Sequence, residues 1–413
     1  MAHLVMVSIP APGHVNPSLE VLRRLVERGH RVTYVNDASF RDVVESTGAR
    51  LAPYVSVLPR ANHAGADGPP EEAFDGDAVD HLAAFQDEYE AMLPVVREVF
   101  AADRPDLLLH DIAGVPGRLL ADARGVPTLQ LSPTYVAWEG YEDDLGAFWD
   151  GVRADPRGAA YLARQQAMLA EHGVTTDALA YLGRPSRCVV LVPEVMQPHA
   201  DRVDRATYTF TGPALRRPVP GAWTPPTGRR VLLVSLGTAF TAHPDFYRRC
   251  LEAYGGRPGW HLVLQVGRHV DPAVLTDGRP VPEDVEIVPW VPQLEVLEHA
   301  DAFVTHAGMG GSSEGLATAT PMVAVPQDVD QFDNADALVA AGVAVRLDSA
   351  TATVADLRRA LTQVTSPAVA ARSRALAAEL AAAGGADAAV AVVESMVAPL
   401  SPGAPRSPGA PRS

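Results

Sequence analysis

The stretch that decides the fold runs from Trp290 to Gln331 and reads WVPQLEVLEHADAFVTHAGMGGSSEGLATATPMVAVPQDVDQ. Its short apolar run, residues 301–305, is typical of a buried parallel strand. The glycines that follow allow the backbone to approach a ligand closely, and the pattern predicts a helix from Ser312 to Ala319. Because the start of a helix presents free N–H groups and the positive end of its dipole, this segment predicts a phosphate site.

The side chains around this helix extend the predicted site. His306, at the strand end, could donate a hydrogen bond to a phosphate, and Glu314 could accept from the two hydroxyls of a ribose. Trp290 offers a flat face on which a base could stack. The stretch therefore predicts a site for a nucleoside diphosphate that carries a further group. The predicted site residues are Trp290, Val291, Gln293, His306, Gly308, Gly310, Gly311, Ser312, Ser313, Glu314, Asp330 and Gln331, with Ser235 and Thr238 from a Ser-Leu-Gly-Thr turn.

The composition excludes several classes of protein. The net charge of −16 argues against a nucleic-acid partner. The chain contains no lysine, which excludes lysine Schiff-base enzymes and P-loop NTPases. Two cysteines cannot form a disulfide framework, and no signal peptide or membrane span is predicted, so we expect a cytoplasmic protein.

The chain divides into two similar halves. Residues 1–214 begin with a strand, a Pro-Ala-Pro-Gly-His turn, a helix from Pro17 and a second strand, and this βαβ order predicts a parallel sheet. Residues 215–229 are a proline-rich linker, and the βα pattern restarts over residues 230–400. We expect two Rossmann-like α/β domains facing a cleft, with the last helix a candidate to pack back on the first domain. The repetitive tail, residues 401–413, is predicted to be disordered.

The array around Trp290 resembles the donor-binding signature of the family 1 glycosyltransferases, which transfer sugars from UDP- or TDP-sugars. Within that family the chain is most similar to the bacterial macrolide glycosyltransferases. The strings GHVNPSLEV, LHDI, LSPTYVAWEGYEDD and VSLGT add to the resemblance, which extends from Ser8 to about Glu394. It implies the two-domain GT-B architecture and a UDP-sugar as co-substrate.

His14 and Asp111 are the predicted catalytic pair. Each follows a strand of the first half, and neighbouring strands would bring them together. A carboxylate at hydrogen-bond distance holds the tautomer of an imidazole and makes it a better base. His14 would take the proton of the acceptor hydroxyl while its oxygen attacks the anomeric carbon, which is a single displacement with inversion. The resemblance implies the same pair.

The predicted donor is UDP-glucose, with UDP-galactose second. Glu314 favours UDP over TDP because a ribose 2′-hydroxyl offers it a second donor, and the resemblance implies that Asp330 and Gln331 hold glucose hydroxyls. No metal or other cofactor is expected, because the helix dipole and His306 already meet the phosphate charge. The Asp-x-Asp pairs at residues 75–77 and 328–330 are short matches of a kind that often arises by chance.

The acceptor is less determined by sequence. The resemblance implies a macrolide, and Tyr135, Trp138 and Tyr141 offer aromatic surface beside acidic residues that could attract an amino sugar. Another natural product, a phenol, or a UDP-sugar epimerase of the same fold remain open, as do a monomer and a homodimer. A hydrolase with a Gly-x-Ser-x-Gly elbow is excluded because no histidine follows His306. A dinucleotide oxidoreductase is disfavoured because Ser313 occupies the third glycine position.

Overall fold

The computed structural model describes residues 1–59, 76–237, 243–268, 270–327 and 330–397. It contains two parallel sheets. The first has the order β3-β2-β1-β4-β5-β6-β7, and the second has the order β10-β9-β8-β11-β12-β13. The strands are β1 His3–Val7, β2 Arg31–Asp37, β3 Arg50–Tyr54, β4 Leu107–His110, β5 Thr128–Ser132, β6 Cys188–Val190, β7 Tyr208–Phe210, β8 Arg230–Ser235, β9 Trp260–Gln265, β10 Val285–Val288, β11 Ala300–Thr305, β12 Met322–Ala324 and β13 Ala344–Arg346.

Helices connect the parallel strands, as the βα pattern of the sequence predicts. They are α1 Pro12–Glu27, α2 Arg41–Glu45, α3 Ala78–Ala102, α4 Val115–Ala123, α5 Tyr141–Asp144, α6 Gly146–Ala154, α7 Pro156–Glu171, α8 Ala178–Gly183, α9 Pro244–Tyr254, α10 Pro272–Thr276, α11 Gln293–Leu297, α12 Met309–Ala317, α13 Gln331–Ala340, α14 Val354–Val364, α15 Pro367–Ala383 and α16 Gly385–Met396. The prediction of two Rossmann-like α/β domains is confirmed.

Each sheet reverses its strand order at one place, and these places define where ligands bind. In the first sheet β1 pairs with both β2 and β4, and in the second β8 pairs with both β9 and β11. In open α/β sheets the crevice at such a reversal, beyond the carboxyl ends of the strands, is the usual binding site. His14 and Asp111 follow β1 and β4, whereas Ser235 is the last residue of β8 and His306 directly follows β11.

Two helix starts differ from the sequence prediction. Helix α1 begins at Pro12, so His14 lies in its first turn and not in a turn before it. Proline is well suited to this place, because the first helical N–H has no partner in any case. Helix α12 begins at Met309, three residues before the predicted Ser312, with Gly308 in extended conformation as its N-cap. The predicted loop at residues 60–75 and the tail lie outside the described residues.

The C-terminal helix α16 packs against α1 of the first domain. Arg24 Nη1 lies 2.5 Å from Asp387 Oδ1, and Arg28 Nη1 lies 2.7 Å from Glu394 Oε2. The first domain's apolar core includes four residues of α16: Ala386, Ala389, Val390 and Val393. By length and composition the stretch Pro367–Met396 could span a membrane. It is instead interrupted at Gly384, where φ is 89°, and we assign it to the fold because α16 is part of this core.

The linker is fixed to the second domain by a carboxylate. The carboxylate of Glu295, in α11, accepts hydrogen bonds from both Nη atoms of Arg216, at 2.5 and 2.7 Å, and from the backbone N–H of Val219, at 2.8 Å. Hydrogen bonds from Arg216 lower the pKa of Glu295 to about 2. The chain between the domains is therefore attached to the helix whose first residue is Gln293.

Candidate active site

His14 and Asp111 meet at the edge of the first sheet. Because β1 and β4 are neighbours in register, with Val7 beside His110, the residues that follow them are close. His14 Nδ1 forms a short hydrogen bond with Asp111 Oδ2. Asp111 is fully buried, and its second oxygen accepts the backbone N–H of Ala113 at 3.0 Å. The Nε2 nitrogen of His14 is therefore the one that remains to exchange a proton with a ligand.

A glycine sets how closely the chain after Asp111 approaches β1. A Cβ atom built on Gly114 would lie 2.3 Å from the carbonyl oxygen of Val7. No real Cβ tolerates that distance, so a side chain here would push the turn away from the strand. The turn is also closed by a hydrogen bond of 3.2 Å from the N–H of Gly114 to the carbonyl of Asp111. Gly114 thus permits the position that Asp111 occupies beside α1.

Three tyrosines near Asp111 were not identified from the sequence. Burial raises the pKa of Tyr34, Tyr54 and Tyr89 above the usual tyrosine value; Glu88 adds to this effect at Tyr54, and Asp111 adds to it at all three. Their phenols therefore remain protonated near neutral pH, and that of Tyr54 donates a hydrogen bond to the buried Glu88. The sequence could have placed Tyr34 near this site, because it lies on β2 beside β1. It could not have placed Tyr89, which comes from the distant helix α3.

The opposite side of the cleft presents the start of α12. The first helical hydrogen bond runs from the N–H of Ser312 to the carbonyl of Gly308, at 2.9 Å. The amides of Met309, Gly310 and Gly311 precede that bond and have no partner within the helix. These three amides, rather than those of Ser312 and Ser313, form the anion site that the helix provides. Both serine side chains are buried, and Ser312 Oγ has no hydrogen-bond partner in the part of the chain that the structure describes.

His306 lies against two glycines at this site. A Cβ on Gly308 would be 2.4 Å from His306 Nε2, and one on Gly237 would be 2.7 Å from its Cε1. Burial lowers the pKa of His306 to about 4, so the imidazole is neutral at pH 7 and has one N–H to donate. Its Nδ1 atom is buried and lacks a hydrogen-bond partner among the described residues. The sequence placed His306 at the strand end, and the structure places it beside Gly308.

Glu314 and Gln293 form the predicted nucleoside side of this site. Gln293 Nε2 donates to Glu314 Oε2 at 2.6 Å, and burial raises the pKa of Glu314. The Trp290 side chain is 66% exposed, so its face is open for stacking. Val291, in contrast, is buried in the core, so only its backbone could contact a ligand. Ser235 is buried as well and accepts the N–H of Gly237 at 3.4 Å, whereas Thr238 lies outside the described residues.

Asp330 is the N-cap of α13 and Gln331 is its first residue, and the two differ in exposure. Asp330 is exposed in the cleft, and its Oδ2 accepts Asn334 Nδ2 at 3.0 Å. Desolvation by the surrounding protein raises the pKa of Asp330, whereas the nearby His14 acts in the opposite direction. Helix α1, which carries His14, is in contact with α12, so the two sides of the site face each other. Gln331 is buried, and its Oε1 accepts the backbone N–H of Gln327 at 2.9 Å. That oxygen holds the preceding turn.

The residues predicted to contact an acceptor separate into two places. Tyr135 donates its hydroxyl hydrogen bond to Asn334 Oδ1 across the cleft. Trp138 and Tyr141 pack edge to face, with ring centroids 5.1 Å apart. The nearby acids Glu142 and Asp144 are each paired with an arginine, at 2.6 and 3.2 Å. The negative charge available to attract a cation is therefore smaller than the sequence indicates.

The described residues contain no group of three or more histidine, cysteine, aspartate or glutamate side chains that could hold a metal ion. Asp75 and Asp328, the first members of the two Asp-x-Asp pairs, lie outside those residues. The expectation that no metal is required stays a prediction.

The two sheets and the facing groups of the cleft define a class, the sugar-nucleotide glycosyltransferases built from two Rossmann-like domains. Residues 227–369 match the family model described as "UDP-glucoronosyl and UDP-glucosyl transferase". The chain is 50% identical to the oleandomycin glycosyltransferase of Streptomyces antibioticus over 95% of this chain and 90% of that protein. It is 33% identical to the NDP-glycosyltransferase YjiC of Bacillus licheniformis, over 96% and 98% of the two chains. The chain belongs to this family of UDP-glycosyltransferases and is an enzyme.

Solved structures agree with this assignment. The chain superimposes on the glycotransferase of kitacinnamycin with a TM-score of 0.87 and 44% identity, covering 96% of this chain and 99% of that chain. It superimposes on the calicheamicin glycosyltransferase CalG4 with a TM-score of 0.83 and 30% identity, covering 97% and 100%. The expected GT-B architecture is confirmed.

Proposed function

We propose that this glycosyltransferase moves glucose from UDP-glucose to a hydroxyl of a macrolide antibiotic, with inversion, and thereby inactivates the antibiotic. The observation that carries the proposal is the His14–Asp111 pair at the edge of one sheet, facing Asp330 and the start of α12 at the edge of the other. A base and an anion site on opposite sides of one cleft are what a single displacement requires.

The proposed step uses the His14–Asp111 pair of the first domain, and His306 and the start of α12 in the second. His14 Nε2 accepts the proton of the acceptor hydroxyl, and the oxygen forms a bond to the anomeric carbon of the sugar. The bond from that carbon to the phosphate oxygen breaks, and UDP leaves with its electron pair. Asp111 stabilises the imidazolium that forms, while the amides of α12 and His306 stabilise the charge that develops on the leaving diphosphate. Attack opposite to the leaving group inverts the anomeric centre.

The identity of the donor rests on the second domain. Glu314, oriented by Gln293, would accept the ribose hydroxyls, which favours UDP over TDP. Asp330 and Gln331 would hold the sugar, with glucose first and galactose second. The three amides that open α12 would meet the diphosphate. We therefore expect transfer without an added metal.

The identity of the acceptor rests on similarity more than on geometry. The relative that is 50% identical is named for oleandomycin, which supports a macrolide. The calicheamicin and kitacinnamycin enzymes of the same fold favour a second candidate, another natural product or a phenol. A UDP-sugar epimerase, the remaining alternative, would consume UDP-glucose and leave the acceptor unmodified. We further propose a cytoplasmic location and a monomer or homodimer.

The test is a mass-spectrometric assay of purified protein with UDP-glucose and oleandomycin, with and without EDTA. We expect a product heavier by one hexose, lost in His14→Ala but retained in His299→Ala, which replaces an exposed histidine outside the site. UDP should still bind to His14→Ala. Transfer that survives in His14→Ala would refute the assigned base, and consumption of UDP-glucose with intact acceptor would favour the epimerase or a different acceptor. A panel of phenols and macrolides then separates those two.

A further inference from the structure

A chain of three polar side chains crosses from the first domain to the sugar side of the cleft. The Tyr135 hydroxyl donates to Asn334 Oδ1, and Asn334 Nδ2 donates to Asp330 Oδ2 at 3.0 Å. Asn334 is fully buried. Tyr135 follows β5 of the first sheet, whereas Asp330 and Asn334 belong to the start of α13 in the second domain. The two domains thus contact each other through a chain of hydrogen bonds whose last member, Asp330, is the residue predicted to bind the sugar.

The two outer members determine how the middle one is oriented. A carboxylate only accepts hydrogen bonds, so Asp330 must face the NH₂ group of Asn334 and not its oxygen. That leaves the amide oxygen of Asn334 toward Tyr135, whose hydroxyl must then donate. Burial, reinforced by Asp330 and Asp333, raises the pKa of Tyr135, so the phenol keeps its proton near neutral pH. Each donor in the chain therefore meets an acceptor.

The Tyr135 end of the chain is held rigidly by the first domain. The backbone N–H of Val136 donates to Gln197 Oε1 at 2.9 Å, and Gln197 Nε2 donates back to the carbonyl of Val136 at 3.0 Å. Gln197 is itself buried. The phenol thus reaches α13 from a fixed backbone. At the other end, the N–H of Asn334 bonds to the carbonyl of Asp330 at 2.9 Å, which holds these two residues on one helical turn.

We propose that Tyr135 and Asn334 are positioning residues for the donor sugar, because they hold the carboxylate of Asp330 with its Oδ1 atom toward the sugar hydroxyls. Since Tyr135 belongs to the first domain, this orientation is complete only when the two domains are together. The sequence interpretation of Tyr135 as an acceptor contact is revised by this proposal. The inference rests on the proposed function, in which Asp330 binds the sugar.

The test compares the dissociation constants of UDP-glucose and UDP by calorimetry in Tyr135→Phe, a variant that removes only the hydroxyl. We expect UDP-glucose to bind roughly three- to tenfold more weakly, as for one lost hydrogen bond. UDP lacks the sugar and should bind as before. The preference for UDP-glucose over UDP-galactose should also fall. Tyr247→Phe is the matched control, since that hydroxyl is buried in the second domain with no hydrogen-bond partner among the described residues.

The outcomes separate the two proposals. Asp330→Asn should weaken the binding of UDP-glucose at least as much as Tyr135→Phe does. In the double variant, Tyr135→Phe should reduce the affinity for UDP-glucose little further than Asp330→Asn alone. The positioning role is refuted if Tyr135→Phe leaves the dissociation constant of UDP-glucose within about twofold of the wild-type value, or if it weakens the binding of UDP to the same extent. Neither result would affect the proposed hexose transfer by the wild type. If the wild type neither binds UDP-glucose nor transfers hexose, the proposed function itself fails.

Discussion

Replacing Asp111 by asparagine tests the proposed base without changing the shape of the site. In the wild type one carboxylate oxygen meets His14 Nδ1 and the other accepts the N–H of Ala113. An asparagine that keeps its oxygen on Ala113 turns its NH₂ group toward His14. Nδ1 must then accept, which moves the imidazole proton to Nε2. The nitrogen that should take the acceptor's proton is thereby already protonated.

The expected loss follows from this change of tautomer. General base catalysis contributes about 10²- to 10⁴-fold. Replacing the buried carboxylate behind a catalytic histidine by an amide costs about 10⁴-fold in a comparable arrangement. We therefore expect kcat of Asp111→Asn to fall by roughly three orders of magnitude, with little change in UDP affinity, because the anion site belongs to the other domain.

The assay is the initial rate of hexose transfer at saturating UDP-glucose, measured beside a calorimetric titration with UDP. A thermal melt shows whether the variant is folded, since Asp111 is buried. A kcat within about tenfold of the wild type in a folded variant would show that the pair does not act as base and orienting carboxylate. A variant that loses UDP binding as well would indicate a general loss of structure.

Three further predictions address the donor site and the fold. Trp290→Ala should weaken UDP by about tenfold in a calorimetric titration, with an unchanged melting temperature, because the side chain is 66% exposed; unchanged UDP affinity would exclude stacking. Gly114→Ala should lower the free energy of unfolding by about 1–3 kcal/mol in urea titrations, because its Cβ would meet the Val7 carbonyl at 2.3 Å; wild-type stability would contradict that contact. Burial lowers the pKa of His110 in the folded protein to about 3. Between about pH 6.5 and pH 3 this histidine therefore binds a proton in the unfolded chain but not in the folded one, and the free energy of unfolding falls as the pH falls through this window. In His110→Gln the loss of stability between about pH 6 and pH 5 should be smaller by about 1.2 kcal/mol, and an equal loss in both proteins would rule out His110 as its source.

The sequence predicted that His14 and Asp111 lie together because the rule behind this prediction is topological. His14 and Asp111 follow two strands, and the carboxyl ends of neighbouring parallel strands meet at one edge of a sheet. No distance had to be known to place them together. The same reasoning correctly put His306 beside the glycine turn after β11.

The start of α12 was predicted wrongly because glycine occurs both in turns and at the start of helices. Gly310 and Gly311 disfavour a helix by propensity, and the pattern therefore indicated a turn. In the structure Gly308 serves as the N-cap, and the two later glycines lie within the first helical turn. The amides assigned to the anion site moved accordingly, and Ser312 and Ser313 proved to be buried.

The contact between Tyr135 and Asn334 could not be predicted from the sequence. These residues are 199 positions apart and belong to different sheets. Their meeting depends on the relative placement of two domains, and no local pattern encodes that placement. Tyr135 was noticed only as an aromatic residue near acidic ones, a description that fits many surfaces.

The packing of α16 on α1 has a practical consequence for exchanging donor domains between relatives. A chimaera joined only at the linker would combine one parent's α1 with the other parent's α16. The ion pairs of Arg24 with Asp387 and Arg28 with Glu394 would then depend on residues from two sources. A recombinant enzyme that takes its first domain from this chain should therefore also keep its residues from Gly385 onward, with a second crossover at Gly384, where the two final helices separate.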